Sequence, residues 1–196
     1  MNIENFLSLK PKSIFEVVPS YIFREKETDE HRSYICSENY YEFYYAISKY
    51  FKPKTILEIG VRLGYSFASM YAGSFDTIKY MEGWDNCSYV ENSVEISKIN
   101  LKNFIKCDFN ILDIDSHIQI MKEYYDLIHI DGDHTYDGAI KDLELTKLHA
   151  KTIIVDDYAA FDTVKNAVND FVRQNNLENK LSYIPSCQGM AVLELS

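Results

Sequence analysis

The chain is short of several things, and each shortage narrows what it can be. Its four cysteines, Cys36, Cys87, Cys107 and Cys187, are scattered through 196 residues. No Cys-x-x-Cys pair or Cys/His ligand spacing occurs, so a zinc site is not expected, and nothing reads as a disulfide framework. Reduced thiols and a cytoplasmic location are the expectation. No apolar run approaches the ~20 residues that span a bilayer. The stretch Met1-Asn2-Ile3-Glu4-Asn5 lacks the basic and apolar regions of a secretion signal. No membrane partner is expected. Positive charge is scarce too: 20 Lys and Arg stand against 30 Asp and Glu, a formal net charge of −10. The nearest thing to a basic cluster is Lys10 to Lys12. A polynucleotide binder needs a basic stripe, so the partner is expected to be a small molecule and not a nucleic acid.

What is present describes one globular domain with a sizeable core, since 46% of residues are hydrophobic and 26% charged. Residues 1 to about 50 differ from the rest. Pro11, Pro19 and the charged run Arg24-Glu25-Lys26-Glu27-Thr28-Asp29-Glu30 suggest a surface segment between short helices. Tyr40-Tyr41-Glu42-Phe43-Tyr44-Tyr45-Ala46-Ile47 reads as an aromatic helix broken by Pro53. We expect residues 1–50 to be a helical lid or a homodimer surface, and residues 51–196 to be the catalytic domain.

From residue 55 strands and helices alternate. Expected strands are Thr55–Ile59, Ile78–Glu82 (ending at Trp84-Asp85), Phe104–Cys107 (ending at Asp108), Tyr125–Ile130 and Thr152–Val155. Expected helices are Tyr65–Ala72, Val90–Leu101, Ile114–Glu123, Tyr136–Leu148 and Val164–Gln174. Five β–α units in series predict a Rossmann-like α/β fold, a parallel sheet with helices on both faces. Leu181–Ile184 and Met190–Leu195, joined by Pro185 to Gly189, close it as a hairpin that places an antiparallel strand at one edge.

Two apolar runs stop abruptly in acids. Ile128-His129-Ile130 leads into Asp131-Gly132-Asp133-His134, and Ile153-Ile154-Val155 into Asp156-Asp157-Tyr158. Strand C-termini are where open α/β sheets bind ligands. Four carboxylates on two such tips offer hard oxygen donors suited to a divalent cation such as Mg²⁺. The first strand ends in Glu58-x-Gly60-x-x-x-Gly64, followed by Tyr65-Ser66. Glycines there let backbone approach a ligand. The pattern is not the Gly-x-Gly-x-x-Gly of dinucleotide sites. A carboxylate at Glu58 would repel a pyrophosphate and attract an amino-bearing ligand, which argues against a NAD-dependent oxidoreductase. Asp85, one unit later, is placed to bind ribose hydroxyls or to cap the helix that follows. Asp108 is a candidate for an adenine contact or a turn cap.

With this ordered set the chain resembles class I S-adenosylmethionine-dependent methyltransferases from about Thr55 to Ser196. It is most similar to small-molecule O-methyltransferases whose fourth strand ends Asp-Gly-Asp-His-Ser/Thr-Tyr, a group that includes sugar and macrolide methylating enzymes. The resemblance implies a seven-stranded sheet in the order 3-2-1-4-5-7-6. It implies S-adenosylmethionine held by Glu58, Gly60, Gly64, Ser66, Asp85 and Asp108, and Mg²⁺ held by Asp131, Asp156 and Asp157. Catechol-type relatives place a basic Lys three residues after the first metal Asp. Here that residue is His134, so His134 and Asp131 are the candidate catalytic pair, with the imidazole as general base. His129 lies on the opposite strand face from Ile128 and Ile130 and reads as a packed histidine, not a ligand. Where relatives carry Pro-Gly-Gly before the fifth strand, this chain has Leu148-His149-Ala150-Lys151. A NAD-dependent oxidoreductase and a non-catalytic module binding S-adenosylmethionine on the same fold are the alternative readings.

Overall fold

A computed structural model describes residues 1–23, 40–186 and 188–196. The charged run at 24–30, Cys36 and Cys187 lie outside the described residues. Seven strands form one sheet in the order β3-β2-β1-β4-β5-β7-β6. They are β1 (Thr55–Ile59), β2 (Tyr80–Asp85), β3 (Asp108–Asp113), β4 (Tyr125–Ile130), β5 (Ala150–Val155), β6 (Leu181–Ile184) and β7 (Met190–Glu194). The first five are parallel, and β7 runs antiparallel between β5 and β6. The hairpin therefore pairs through β7 with the parallel set, as the two closing apolar runs predict.

Alternation along the strands sorts side chains to two cores. Ile56, Leu127 and Ile154 join one core, with Phe67 and Met70 of α3 (Tyr65–Ser74) and Val94 and Leu101 of α4 (Ser93–Leu101). Leu57, Ile128 and Ile153 join the other, with Leu143 of α5 (Tyr136–Thr146) and Val168 and Phe171 of α6 (Asp162–Gln174). The first core also takes the N-terminal segment: Phe6 of α1 (Ile3–Leu7), then Ile14, Ile22 and the aromatic face of α2 (Tyr41–Phe51). A boundary at residue 50 would fall inside α2, which packs along α3. Lys52, in the left-handed conformation at φ 50°, ends α2 just before Pro53.

Two expectations between β2 and β4 are corrected. The third strand is not Phe104–Cys107. Phe104 and Ile105 instead turn off the end of α4, both amides bonding to the Leu101 carbonyl at 2.9 Å. Asp108 therefore opens β3, opposite Tyr80, instead of ending it. As an edge strand β3 buries only Ile111 of its six residues, so its apolar signal is weaker than that of the turn before it. Nor is there a helix over Ile114–Glu123. Only a 3-10 turn, Ser116–Ile118, forms, with Asp115 capping the His117 amide. Ile118 and Ile120 stay exposed, so no apolar face is present to dock a helix.

Candidate active site

The C-terminal tips of β2, β1, β4 and β5 are laced side by side. The Gly60 amide bonds to the Trp84 carbonyl at 2.8 Å, Asp131 to Ile59 at 2.8 Å, and Asp156 to Ile130 at 3.0 Å. Gly60 has φ +91°, a conformation costly for any residue with a Cβ. A cavity of about 660 Å³ opens above these tips.

One half of the cavity is built on the turn after β1. Asp85 reaches across from β2 and accepts hydrogen bonds from the Arg62 amide (2.7 Å), the Cys87 amide (2.8 Å) and the Ser93 hydroxyl (2.7 Å). It holds the glycine turn and the start of α4 together while still lining the cavity. A carboxylate offers about four acceptor positions, and these three donors leave one open. Gly60 and Ser66 also face this space. Glu58 does not: it is fully buried beneath it, accepting from the Ser66 hydroxyl and from His129 Nδ1 at 2.9 Å. Burial raises its pKa, against those two hydrogen bonds. Gly64 caps α3 against Leu101 and does not line the cavity. Asp108 is at the opposite end of the sheet. The place expected for it is taken by Ile114, Asp115, Ser116 and His117, which follow β3.

The other half holds the acids. Strand alternation puts His129 and Asp131 on one face of β4 and Asp156 on the same face of the β5 tip. Asp156 is only 2% exposed. The hydroxyls of Tyr40 and Tyr44 both donate to its Oδ2. Those tyrosines stand four residues apart, one above the other at the start of α2, and that spacing was the readable signal for a pair that sequence analysis missed. Burial and the neighbouring acids push both phenols well above their ordinary pKa. Asp157, held at φ 58°, turns its carboxylate to His134, whose Nε2 lies 3.2 Å from Asp157 Oδ2 and 3.3 Å from Asp131 Oδ1. The imidazole rests on the Phe161 ring, centroids 4.7 Å apart. Its hydrogen bond to Asp131 raises its pKa, against partial burial. Asp133 plays a different part and accepts from the Thr135 amide and hydroxyl at the start of α5. Thr135, not His134, is the cap of that helix.

Negative charge in this cluster is disfavoured. Burial, then Asp131, raises the Asp156 carboxyl to about 6. Burial, then Asp156 and Asp131, raises Asp157 to about 7. His129 is wholly buried; burial lowers its pKa, but Glu58, Asp131 and Asp156 together carry it to about 9. Two sets of donor atoms lie close enough to share one ion, His129–Asp131–Asp156 and Asp131–His134–Asp157, each within 4.8 Å.

Comparison with known proteins shows the family and the fold. A methyltransferase-domain family model matches residues 57–158, just over half of the chain, from β1 through the Asp156-Asp157-Tyr158 tip. The chain belongs to that family and has the class I S-adenosylmethionine-dependent methyltransferase fold. Among solved structures it is similar to the SAH-bound methyltransferase PaMTH1 of Podospora anserina, with a TM-score of 0.67, 16% identity, and 95% of this chain and 88% of that one covered. It is similar to the O-methyltransferase NovP, with a TM-score of 0.65, 13% identity, and 98% and 99% covered. An O-methyltransferase from Bacillus cereus in complex with SAH follows, with a TM-score of 0.58, 17% identity, and 94% and 91% covered. At such identities these likenesses establish the fold. No curated protein sequence matches the chain. Among the described residues no helix is long and apolar enough to cross a membrane.

Proposed function

We propose that the protein is a metal-assisted, S-adenosylmethionine-dependent O-methyltransferase acting on a hydroxyl of a small molecule of sugar, polyketide or phenolic type. One observation carries the reading: a single cavity joins the glycine turn and Asp85 to Asp131, His134 and Asp157. Donor and acceptor bound in its two halves would meet at the tips of β1 and β4, where positioning alone lowers much of the barrier.

On the donor side S-adenosylmethionine supplies an electrophilic sulfonium methyl. The residues fit it. Asp85 has one acceptor position left for a ribose hydroxyl, and backbone at Gly60 lies bare to the ligand. Ser66, held by Glu58, faces the methionine end. The Ile114–His117 segment serves the adenine end in place of Asp108.

On the acceptor side Asp131, Asp156 and Asp157 would hold a divalent cation, Mg²⁺ being the ion the resemblance implies. Two observations support a cation here: among the described residues Oδ1 of Asp156 and Oδ1 of Asp157 are buried without a hydrogen-bond partner, a costly state in an apolar interior, and Asp131 shares a close donor set with each of them, with His129 beside Asp156 and with His134 beside Asp157. A cation there supplies Lewis-acid polarisation of the acceptor oxygen. His134, whose Nε2 lies beside Asp131 and Asp157 at the cavity, would accept the hydroxyl proton. Tyr40, Tyr41 and Phe161 line this half, which supports an N-terminal segment that covers the acceptor.

Calorimetric titration tests the donor half, and turnover tests the rest. S-adenosylhomocysteine should bind and NAD⁺ should not. With S-adenosylmethionine, a divalent cation and a panel of sugar, polyketide and phenolic hydroxyl compounds, S-adenosylhomocysteine should accumulate with at least one class. Binding of NAD⁺ alone would overturn the reading. Tight donor binding with no turnover across the panel would leave a binding module.

A further inference from the structure

His129 has one ring nitrogen accounted for and one not. Nδ1 stands 2.9 Å from Glu58 Oε1. Nε2 is buried, in a residue 0% exposed, and has no hydrogen-bond partner among the described residues. Glu58 lies opposite His129 across the β1–β4 ladder and is itself fixed by the Ser66 hydroxyl. That chain sets the ring's orientation. With Nδ1–H given to Glu58, Nε2 is left on the far side of the ring, in a side chain on the strand face that also carries Asp131 and Asp156, and it can ligate once a cation displaces its proton. A ligating histidine almost always gives its other N–H to an acceptor, and a carboxylate such as Glu58 is one of the usual ones.

Asp156 is arranged to match. Its Oδ2 takes both tyrosine hydroxyls, and its Oδ1 is left buried and unpartnered. So His129 and Asp156, each with one orphaned atom, bring donors of different chemistry, a nitrogen and an oxygen, into a set with Asp131 whose ligand atoms lie within 4.8 Å of one another. Hydrogen bonding among them would leave neither orphaned. Asp131, partly exposed to the cavity, gives an ion its way in.

We infer that the cation of this centre is held by a mixed nitrogen–oxygen set, His129 Nε2 with Asp131 and Asp156, and that it is a first-row transition-metal ion in preference to Mg²⁺. The inference rests on the metal-assisted reading above and deepens it. Mg²⁺ demands oxygen donors and retains its waters, whereas imidazole favours transition metals. His129 takes the ligand place given above to Asp157, and Asp157 with His134 then faces the acceptor. Glu58 becomes a positioning residue for the metal ligand as well as for Ser66.

Pulsed electron paramagnetic resonance of Mn²⁺ added to the intact protein tests this without turnover. Nitrogen modulation from a directly bound imidazole is expected in wild type, and protein labelled with ¹⁵N-histidine should shift it. The modulation should persist in His134→Gln and vanish in His129→Gln. If His129→Gln does not fold, persistence in both His134→Gln and His31→Gln with the isotope shift still assigns the nitrogen, because His117 and His149 lie outside the cluster. Glu58→Gln should weaken Mn²⁺ binding by about 10-fold or more, the usual effect of losing an outer partner. Mn²⁺ bound with no nitrogen modulation, or with modulation lost in His134→Gln, overturns the inference and leaves an all-carboxylate or outer site. No Mn²⁺ or Mg²⁺ binding at all overturns the metal-assisted reading itself.

Discussion

A Cβ placed on Gly60 would stand 1.9 Å from the carbonyl oxygen of Asp131. The donor turn and the acid cluster are thus in backbone contact, and one cannot be altered without the other. Gly60→Ala should damage both halves. It forces a side chain into φ +91° and against backbone, and the left-handed conformation alone costs roughly 1–2 kcal/mol. Urea unfolding should show a loss above that figure, with weaker binding of S-adenosylhomocysteine. A variant as stable as wild type would mean the tips separate easily.

Asp85 serves three internal donors as well as the proposed ribose. Asp85→Ala should therefore cost about 1–3 kcal/mol of S-adenosylhomocysteine affinity. It should also lower the melting temperature, because the Arg62 and Cys87 amides lose their acceptor. Unchanged affinity by calorimetry would remove Asp85 from the donor site.

Tyr44→Phe takes one of two hydroxyls from a buried carboxylate. Hydrogen bonds to charged groups are worth about 1.5–3 kcal/mol, so a loss of stability in that range is expected. Removing Tyr40 as well should exceed either single change. If the double variant equals one single variant in denaturant titration, one tyrosine suffices.

The metal-free protein should lose stability as pH rises from about 4 to 9. Asp156 and Asp157 have folded-state values of about 6 and about 7, raised from 3.8. His129 stands at about 9, raised from 6.5. In each case the fold keeps a proton that the unfolded chain has released, so stability falls with rising pH. A divalent cation bound to the ionised cluster should flatten the decline. Melting curves in chelator at pH 5 to 9, repeated with Mn²⁺, check both points. A melting temperature that climbs across that range without metal contradicts the burial of these charges.

His134→Ala should cut methyl transfer by about 10²–10⁴-fold if the imidazole takes the acceptor proton. Donor affinity should not change, since His134 contacts the acids and Phe161 and none of the donor residues. The acidic limb of the pH–rate profile should disappear with it. A loss below about threefold, against that expectation for a general base, would assign proton removal to the carboxylates and leave His134 as their counter-charge.

The alternation of apolar runs was enough to determine the layers, the parallel core of the sheet and the hairpin at its edge. Where a strand is buried on both faces, as in Ile128 to Ile130 or Ile153 to Val155, composition alone marks both the strand and the tip at which its acids begin. The edge was harder. Asp108-Phe109-Asn110-Ile111 pairs on one side only, and its partner β2, not its own hydrophobicity, decides where it starts. That is why Asp108 could be read at the wrong end and the Ile114–His117 contribution missed. The division of labour among the acids likewise lies beyond any reading of a single segment. Asp156 and Asp157 are adjacent in sequence, yet one is clamped by Tyr40 and Tyr44, more than a hundred residues earlier, and the other meets His134. Glu58 and His129 are 71 positions apart and become neighbours because β1 and β4 are. Local pattern determined which residues could do chemistry; burial and the parallel crossovers, which act between distant segments, decided which of them touch.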